Sequence, residues 1–220
     1  MLFGLTNAPA IFQRTMDKVL GPLNLKCALV YIDDIIVYSK SFEDYLKHLR
    51  LVFERIANAN LRINFDKCEF IKRQVSFLSH LIGKNGIKPD PTNVEKVKEY
   101  PVPESVKDVH EFLGLAGYYR KFIRNFAQVA EPLHKLLRKN ATFQWSSKAQ
   151  QCFEYLKDCL ISEPILQHPD FTKKFILHTD ASDFGIGAVL SQLDDNKREH
   201  AVVYLSRSLS KPERNYNTTE

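Results

Sequence analysis

The stretch VYIDDIIVYS, residues 30–39, constrains the fold of this chain more than any other. Two adjacent aspartates, Asp33 and Asp34, interrupt a run of strand formers: Val30, Tyr31 and Ile32 before them, Ile35, Ile36, Val37 and Tyr38 after. An ionised carboxylate in apolar surroundings is costly unless it is paired, hydrogen-bonded or bound to a metal. Successive residues of a flat strand point to opposite faces, so two aspartates in mid-strand cannot share a site. At the tight turn of a hairpin that alternation breaks, and both carboxylates can gather at the end of the sheet. Residues 27–38 therefore read as two short strands folded back on each other, with the aspartates at the tip. The plainer reading is a solvated polar turn. Such a turn more often carries Gly or Asn, however, and the apolar flanks make this hairpin part of a core. Paired carboxylates suit hard cations such as Mg²⁺, which take oxygen ligands and keep several waters. Two such ions about 3.5–4 Å apart can activate an attacking oxygen and stabilise a leaving one in phosphoryl transfer.

The surroundings supply what the hairpin needs to pack. Ile11, Phe12, Met16, Val19 and Leu20 fall at helical spacing over residues 8–20, and Gly21-Pro22 ends the run. Ser41 to Asp44 has the S-x-x-D form of a capping box, and Leu46, Leu49, Phe53 and Ile56 continue as an apolar stripe, giving a helix over about 42–59. Residues 61–88 carry short strand-like pieces with a turn at Lys84-Asn85-Gly86. The stretch holding Pro89, Pro91, Pro101 and Pro103 reads as a boundary. Beyond it, Ser105 and Asp108 cap a helix with Val109, Phe112, Leu113 and Ala116 on its inner face. Over 146–160, Ala149, Cys152, Phe153, Leu156 and Leu160 share one helical face. KFILHTD, IGAVLSQ and HAVVYLS then alternate as three strands. They predict a separate, incomplete α/β domain over 174–206, with Asp180 near the end of the first strand and one face uncovered. The final ERNYNTTE resembles the start of a helix.

Composition narrows the class. The net charge of +5 hints at a polyanionic partner. Residues 118–139 hold Arg120, Lys121, Arg124, Lys135, Arg138 and Lys139 against Glu131, and six minus one again gives +5. Four cysteines without metal-type spacing read as reduced thiols, and nothing approaches a signal peptide or a membrane span. The expectation is a soluble intracellular protein, cytoplasmic, nuclear or associated with a virus-like particle, with no membrane partner.

Several ordered motifs carry a family resemblance. Tyr31-Ile32-Asp33-Asp34 resembles the Y-x-D-D motif of reverse transcriptases, and FGLTNAPAIFQ, residues 3–13, is similar to their preceding P-F-G-L-x-N-A-P motif. LRINFDKCEF, FLSHLIGKNGIKPDP and FLGLAGYYRKFIRNFA follow in the order seen in polymerases of gypsy-type LTR retrotransposons. FILHTDASDFGIGAVLSQ then resembles the start of their fused ribonuclease H domain. The resemblance implies an α+β chain: a reverse transcriptase palm over 1–88, thumb and connecting helices over 89–145, and a linker helix with the N-terminal part of a ribonuclease H-like α/β domain over 146–220.

By the same resemblance, Asp33 is a direct ligand of catalytic Mg²⁺ (or Mn²⁺) and Asp34 a supporting carboxylate. Asp180 is the first metal ligand of the nuclease. Tyr31 and Ile32 face the primer terminus. Phe3 and Gly4 line the incoming deoxynucleoside triphosphate, Lys67 lies near its phosphates, and Phe77 to Leu81 grip the primer. Tyr118, Tyr119, Arg120, Lys121 and Arg124 line a thumb helix that follows duplex phosphates, where each neutralised phosphate releases a counterion. The implied partners are an RNA/DNA primer–template and an RNA–DNA hybrid.

Family members place a third catalytic aspartate on a strand preceding the FGL motif, where this sequence starts, and Asp17 on the following helix cannot replace it. The second nuclease ligand lies just beyond Glu220. The expectation is thus a retrotransposon polymerase–nuclease segment, inactive by itself, with a non-catalytic nucleic-acid-binding remnant as the alternative.

Overall fold

A computed structural model describes residues 6–138, 142–162 and 164–216. The chain divides into two compact units, Met1–Lys72 and Arg73–Glu220.

In the first unit, α1 (Ala8–Leu20) starts with a proline in its first turn, where a missing N–H is harmless. It ends at Gly21, whose φ of 50° suits a residue without Cβ. The hairpin then forms as expected. Strand β1 (Ala28–Tyr31) pairs antiparallel with β2 (Asp34–Val37), and Tyr31 sits opposite Asp34. Helix α2 (Phe42–Asn58) follows, capped by the Ser41 hydroxyl, which accepts the Asp44 N–H at 3.1 Å. The hairpin packs on both helices. Leu20, Ala28, Val52 and Ile56 are buried between them, with Val30, Ile35 and Val37 partly covered.

The second unit opens with a three-stranded antiparallel meander, β3 (Gln74–Phe77), β4 (His80–Gly83) and β5 (Gly86–Pro89). Ile87 and Leu166 exchange backbone hydrogen bonds of 2.8 and 2.9 Å, which tie this sheet to the segment after the last helix. The proline-rich stretch holds a helix, α3 (Pro91–Lys98), capped by Asp90. Helix α4 (Val106–Tyr118) begins with a complete Ser105–Asp108 capping box and buries Val109, Phe112, Leu113 and Ala116. Short helices α5 (Phe126–Val129) and α6 (Glu131–Leu136) follow, then α7 (Ser147–Ile161), which buries the five residues its periodicity selects. Aromatic contacts such as Phe112–Phe153, with centroids 4.6 Å apart, lock α4 to α7. Burial pushes the Cys152 thiol up to about 12, in keeping with a core residue.

One expectation fails here. Tyr118, Tyr119, Arg120, Lys121 and Arg124 do not share one thumb helix. After α4 the chain makes a 3-10 turn over Arg120–Phe122 and reverses at Asn125, which adopts φ 53°, before α5 begins. Tyr119 is 1% exposed and so presents no face to a duplex.

The last three strands, β6 (Ile176–Ala181), β7 (Gly185–Leu193) and β8 (Glu199–Ser208), are antiparallel in chain order. They are not separate from the helices. Ala201 and Tyr204 pack against the helical core, and the Ala127 N–H donates to Ser206 Oγ at 3.1 Å. On the opposite face Leu177 and Leu205 are 59% and 53% exposed, as the sequence suggests. The chain then makes a 3-10 turn over Glu213–Asn215 and turns extended at Tyr216, and residues 217–220 of the expected helix lie outside the described residues. Among the described residues, no helix is long and apolar enough to cross a membrane.

Candidate functional site

The hairpin turn consists of Ile32 and Asp33, between the paired Tyr31 and Asp34. Ile32 has φ 53°, a region that β-branched side chains rarely occupy. Strain of this kind costs on the order of 1–3 kcal/mol and persists only where neighbouring structure enforces it. The enforcing group is Gln13, on α1. Its Oε1 accepts the Ile32 N–H at 2.6 Å, and its Nε2 donates to the Val30 carbonyl at 3.2 Å and to Asp17 Oδ1 at 3.0 Å. Asn24 Nδ2 also donates to Asp17, at 3.2 Å. Asp17 therefore orients the amide that shapes the turn.

Asp33 and Asp34 are both exposed, and no side-chain hydrogen bond or ion pair to either occurs among the described residues. Their oxygens remain available to a cation, and hard oxygen donors fit Mg²⁺ or Mn²⁺. The described residues contain no group of three His, Cys, Asp or Glu side chains arranged to hold a metal. Tyr31 is exposed and Ile32 half-buried. Lys67 ends an exposed 3-10 turn over Phe65–Lys67. Phe3 and Gly4 lie outside the described residues.

In the second unit, the segment expected to touch a primer is the β3–β4 turn. Its central residues, Leu78 and Ser79, have φ values of 48° and 57° without either being glycine. His80, at the start of β4, is buried among the rings of Tyr118, Tyr119 and Phe122. Its Nδ1 bonds the Leu78 carbonyl, which can only accept, so Nδ1 carries the proton. Nε2 is buried with no partner among the described residues. Burial, then the neighbouring Lys121, holds the imidazole below its ordinary value and keeps it neutral.

The basic residues fall into two groups. Arg120 and Arg124 are exposed, whereas Lys121 is half-buried, with its ammonium 5.3 Å from the Phe122 ring and its pKa lowered by burial. Lys135 and Arg138 lie 2.8 and 3.7 Å from Glu131, so part of the charge of this segment is spent internally.

Asp180 lies in β6 opposite Gly187 of β7. Asn125 reaches this pair from the reversal before α5, its Nδ2 3.5 Å from Asp180 Oδ2. A methyl on Gly187 would come within 2.3 Å of Asn125 Oδ1. His178 bonds Glu199 at 2.7 Å, and Ser191 also bonds that carboxylate. The Ser191 hydroxyl, then His178, draws the Glu199 carboxyl below its ordinary value.

The residues missed in the sequence are thus Gln13 and Asn125. Gln13 closes the FGLTNAPAIFQ motif, a polar side chain on a helix otherwise read for its apolar stripe. Asn125 carried no signal beyond its tolerance of left-handed backbone.

These sites sit in a chain matched by two family models. Residues 1–82 match the model described as reverse transcriptase (RNA-dependent DNA polymerase), and residues 145–220 match the one described as an RNase H-like domain found in reverse transcriptase. The class is therefore a reverse transcriptase segment followed by an RNase H-like segment. The chain belongs to the Pol polyproteins of gypsy-type LTR retrotransposons. It is 47% identical, over its whole length, to the retrovirus-related Pol polyprotein from transposon 297 of Drosophila melanogaster. It is 48% identical, over 99% of its length, to that from transposon opus, and 40% identical over its whole length to the transposon Tf2-3 polyprotein of Schizosaccharomyces pombe. It spans 20%, 23% and 16% of those three relatives. The fold matches foamy viral protease-reverse transcriptase solved with ds DNA, with a TM-score of 0.82 and 22% identity over 98% of this chain and 38% of that one. The same protein solved with an RNA/DNA hybrid gives the same TM-score and identity, over all of this chain and 30% of that one.

Proposed function

We propose that the protein of which these residues form a part polymerises DNA on an RNA template and degrades RNA in the resulting hybrid. Asp33 serves as a direct metal ligand and Asp34 as a supporting carboxylate, while Asp180 is the first metal ligand of the nuclease. The observation that carries this reading is the strained hairpin tip. A β-branched residue held at positive φ by a dedicated glutamine presents two carboxylates with no protein partner among the described residues. Mg²⁺ or Mn²⁺ held there would activate a primer 3′-hydroxyl and offset developing charge. Tyr31 and Ile32 are the residues beside the primer end, Phe3, Gly4 and Lys67 those beside the deoxynucleoside triphosphate, and Arg120, Lys121 and Arg124 those beside the duplex backbone. In this partition residues 1–88 act as palm, 89–145 as thumb and connecting helices, and 146–220 as the opening part of the nuclease.

The 220 residues alone bind primer–template weakly and do not extend it. Binding needs only backbone contacts and positive charge. Phosphoryl transfer depends almost wholly on rigid positioning and charge stabilisation, which two carboxylates do not supply for a pair of ions. The test is primer extension with Mg²⁺ or Mn²⁺ by these residues, beside a longer chain that adds an upstream Asp-bearing strand. Extension by the longer chain alone, abolished by Asp33→Asn, is the expected result. Extension by the 220 residues, or an Asp33→Asn variant that still extends, overturns the assignment.

A further inference from the structure

The β3–β4 turn is held by more bonds than its hairpin requires. Leu78 and Ser79 both have positive φ, the combination a type I′ turn demands and one that Asn-Gly satisfies without strain. Here neither residue is Asn or Gly, and the surroundings take up the difference. The Tyr118 hydroxyl donates to the Leu78 carbonyl at 2.8 Å, and His80 Nδ1 donates to the same oxygen. The Tyr119 hydroxyl donates to the Ser79 carbonyl at 3.0 Å, and the Asp90 N–H donates to it at 3.1 Å. Each carbonyl of the turn thus receives two donors, its full capacity. Two of the four come from adjacent tyrosines at the junction of α4 with the 3-10 turn that carries Arg120 and Lys121.

We propose that Tyr118 and Tyr119 are positioning residues: their hydroxyls fix the left-handed 78–79 turn in the one shape that fits a nucleic-acid backbone, and they set its place relative to the basic residues that follow them. This rests on the reading that the turn and the basic segment face a primer–template duplex. The observed backbone strain motivates it, since such conformations cost energy and persist where surrounding groups over-determine them. Neither tyrosine needs to touch nucleic acid for this role, and Tyr119 is too buried to do so.

The experiment measures binding of a fluorescently labelled primer–template duplex by the whole 220-residue chain. Hydrogen exchange at residues 77–81 is followed in the same samples. Tyr118→Phe and Tyr119→Phe keep the rings and remove only the donors. Each is expected to weaken binding roughly fivefold and to speed exchange at the turn, as the loss of one net hydrogen bond implies. Adding Ser79→Gly to Tyr119→Phe makes the left-handed conformation intrinsically cheap and should restore binding, an effect no general loss of packing would reverse. Faster exchange with binding unchanged overturns the positioning role and leaves the nucleic-acid reading standing. Weaker binding that Ser79→Gly does not restore overturns it too, because the tyrosines then act by another route. If the unsubstituted chain binds no duplex at any salt concentration, the reading beneath the proposal has failed, and the proposal falls with it.

Discussion

Single side chains decide the shape of both turns that carry the candidate chemistry. At the first, Gln13 satisfies the N–H of a residue whose backbone is strained. Gln13→Ala leaves the Ile32 N–H without its acceptor, and about 1–2 kcal/mol of stability should be lost from the first unit in urea denaturation. In an Ile32→Gly background the loss should be smaller, because the turn no longer resists its own geometry. At the second, His80 gives a pH signature of known sign. Its folded-state pKa lies below the ordinary 6.5, so below that pH the unfolded chain binds a proton that the folded one refuses. The contribution is intact above about pH 6.5 and is lost as pH falls toward the depressed folded value. His134, also lowered by burial, acts in the same direction. His80→Gln should therefore flatten part, not all, of the fall in melting temperature between pH 7.5 and 5.5.

At the scale of elements, what was legible is what periodicity writes. The apolar stripes of α1, α2, α4 and α7 and the alternation in β6–β8 gave each element close to its observed bounds, and paired strand formers around two acids gave the hairpin. The failures have physical causes. A run of charge is not a secondary-structure signal: the expected thumb helix stops at Tyr118, gives way to a 3-10 turn over Arg120–Phe122, and is followed by left-handed backbone at Asn125. Clustered prolines signal a boundary, but Pro91 opens α3, where its fixed φ is already helical. The contacts of Gln13, Asn125 and Tyr119 join residues remote in the chain, and no local pattern announces them. Gly86 is a further example: its φ is 123°, and a Cβ there would lie 2.2 Å from the Leu166 carbonyl. The obstacle is backbone that cannot swing aside. Gly86→Ala should cost at least about 2–3 kcal/mol by calorimetry, the range of a clash combined with a forbidden dihedral.

For the molecule as a whole, electrostatics supplies the sharpest test of the proposed partner. A chain of net charge +5 that binds duplex through its backbone must show affinity falling steeply with salt. Arg120 and Arg124 are exposed, so Arg120→Ala and Arg124→Ala should each reduce the slope of log K against log salt by roughly one contact's worth, about 0.9. Lys135→Ala should change it less, since that ammonium already sits 2.8 Å from Glu131. Equal effects at all three positions would mean that the ion pair opens on binding.

The crowding above Gly187 has a practical consequence. The atom in the way of a new methyl is the free end of the Asn125 carboxamide, which can rotate where a backbone carbonyl cannot. A thermal screen should therefore pass Gly187→Ala as nearly silent. The rotation, however, takes the amide away from Asp180, so under the metal-ligand role proposed for Asp180 a nuclease screen of a longer chain should flag the same variant. Position 187 is one where the two screens will disagree, and a catalogue of tolerated substitutions built from melting curves alone would file it on the wrong side.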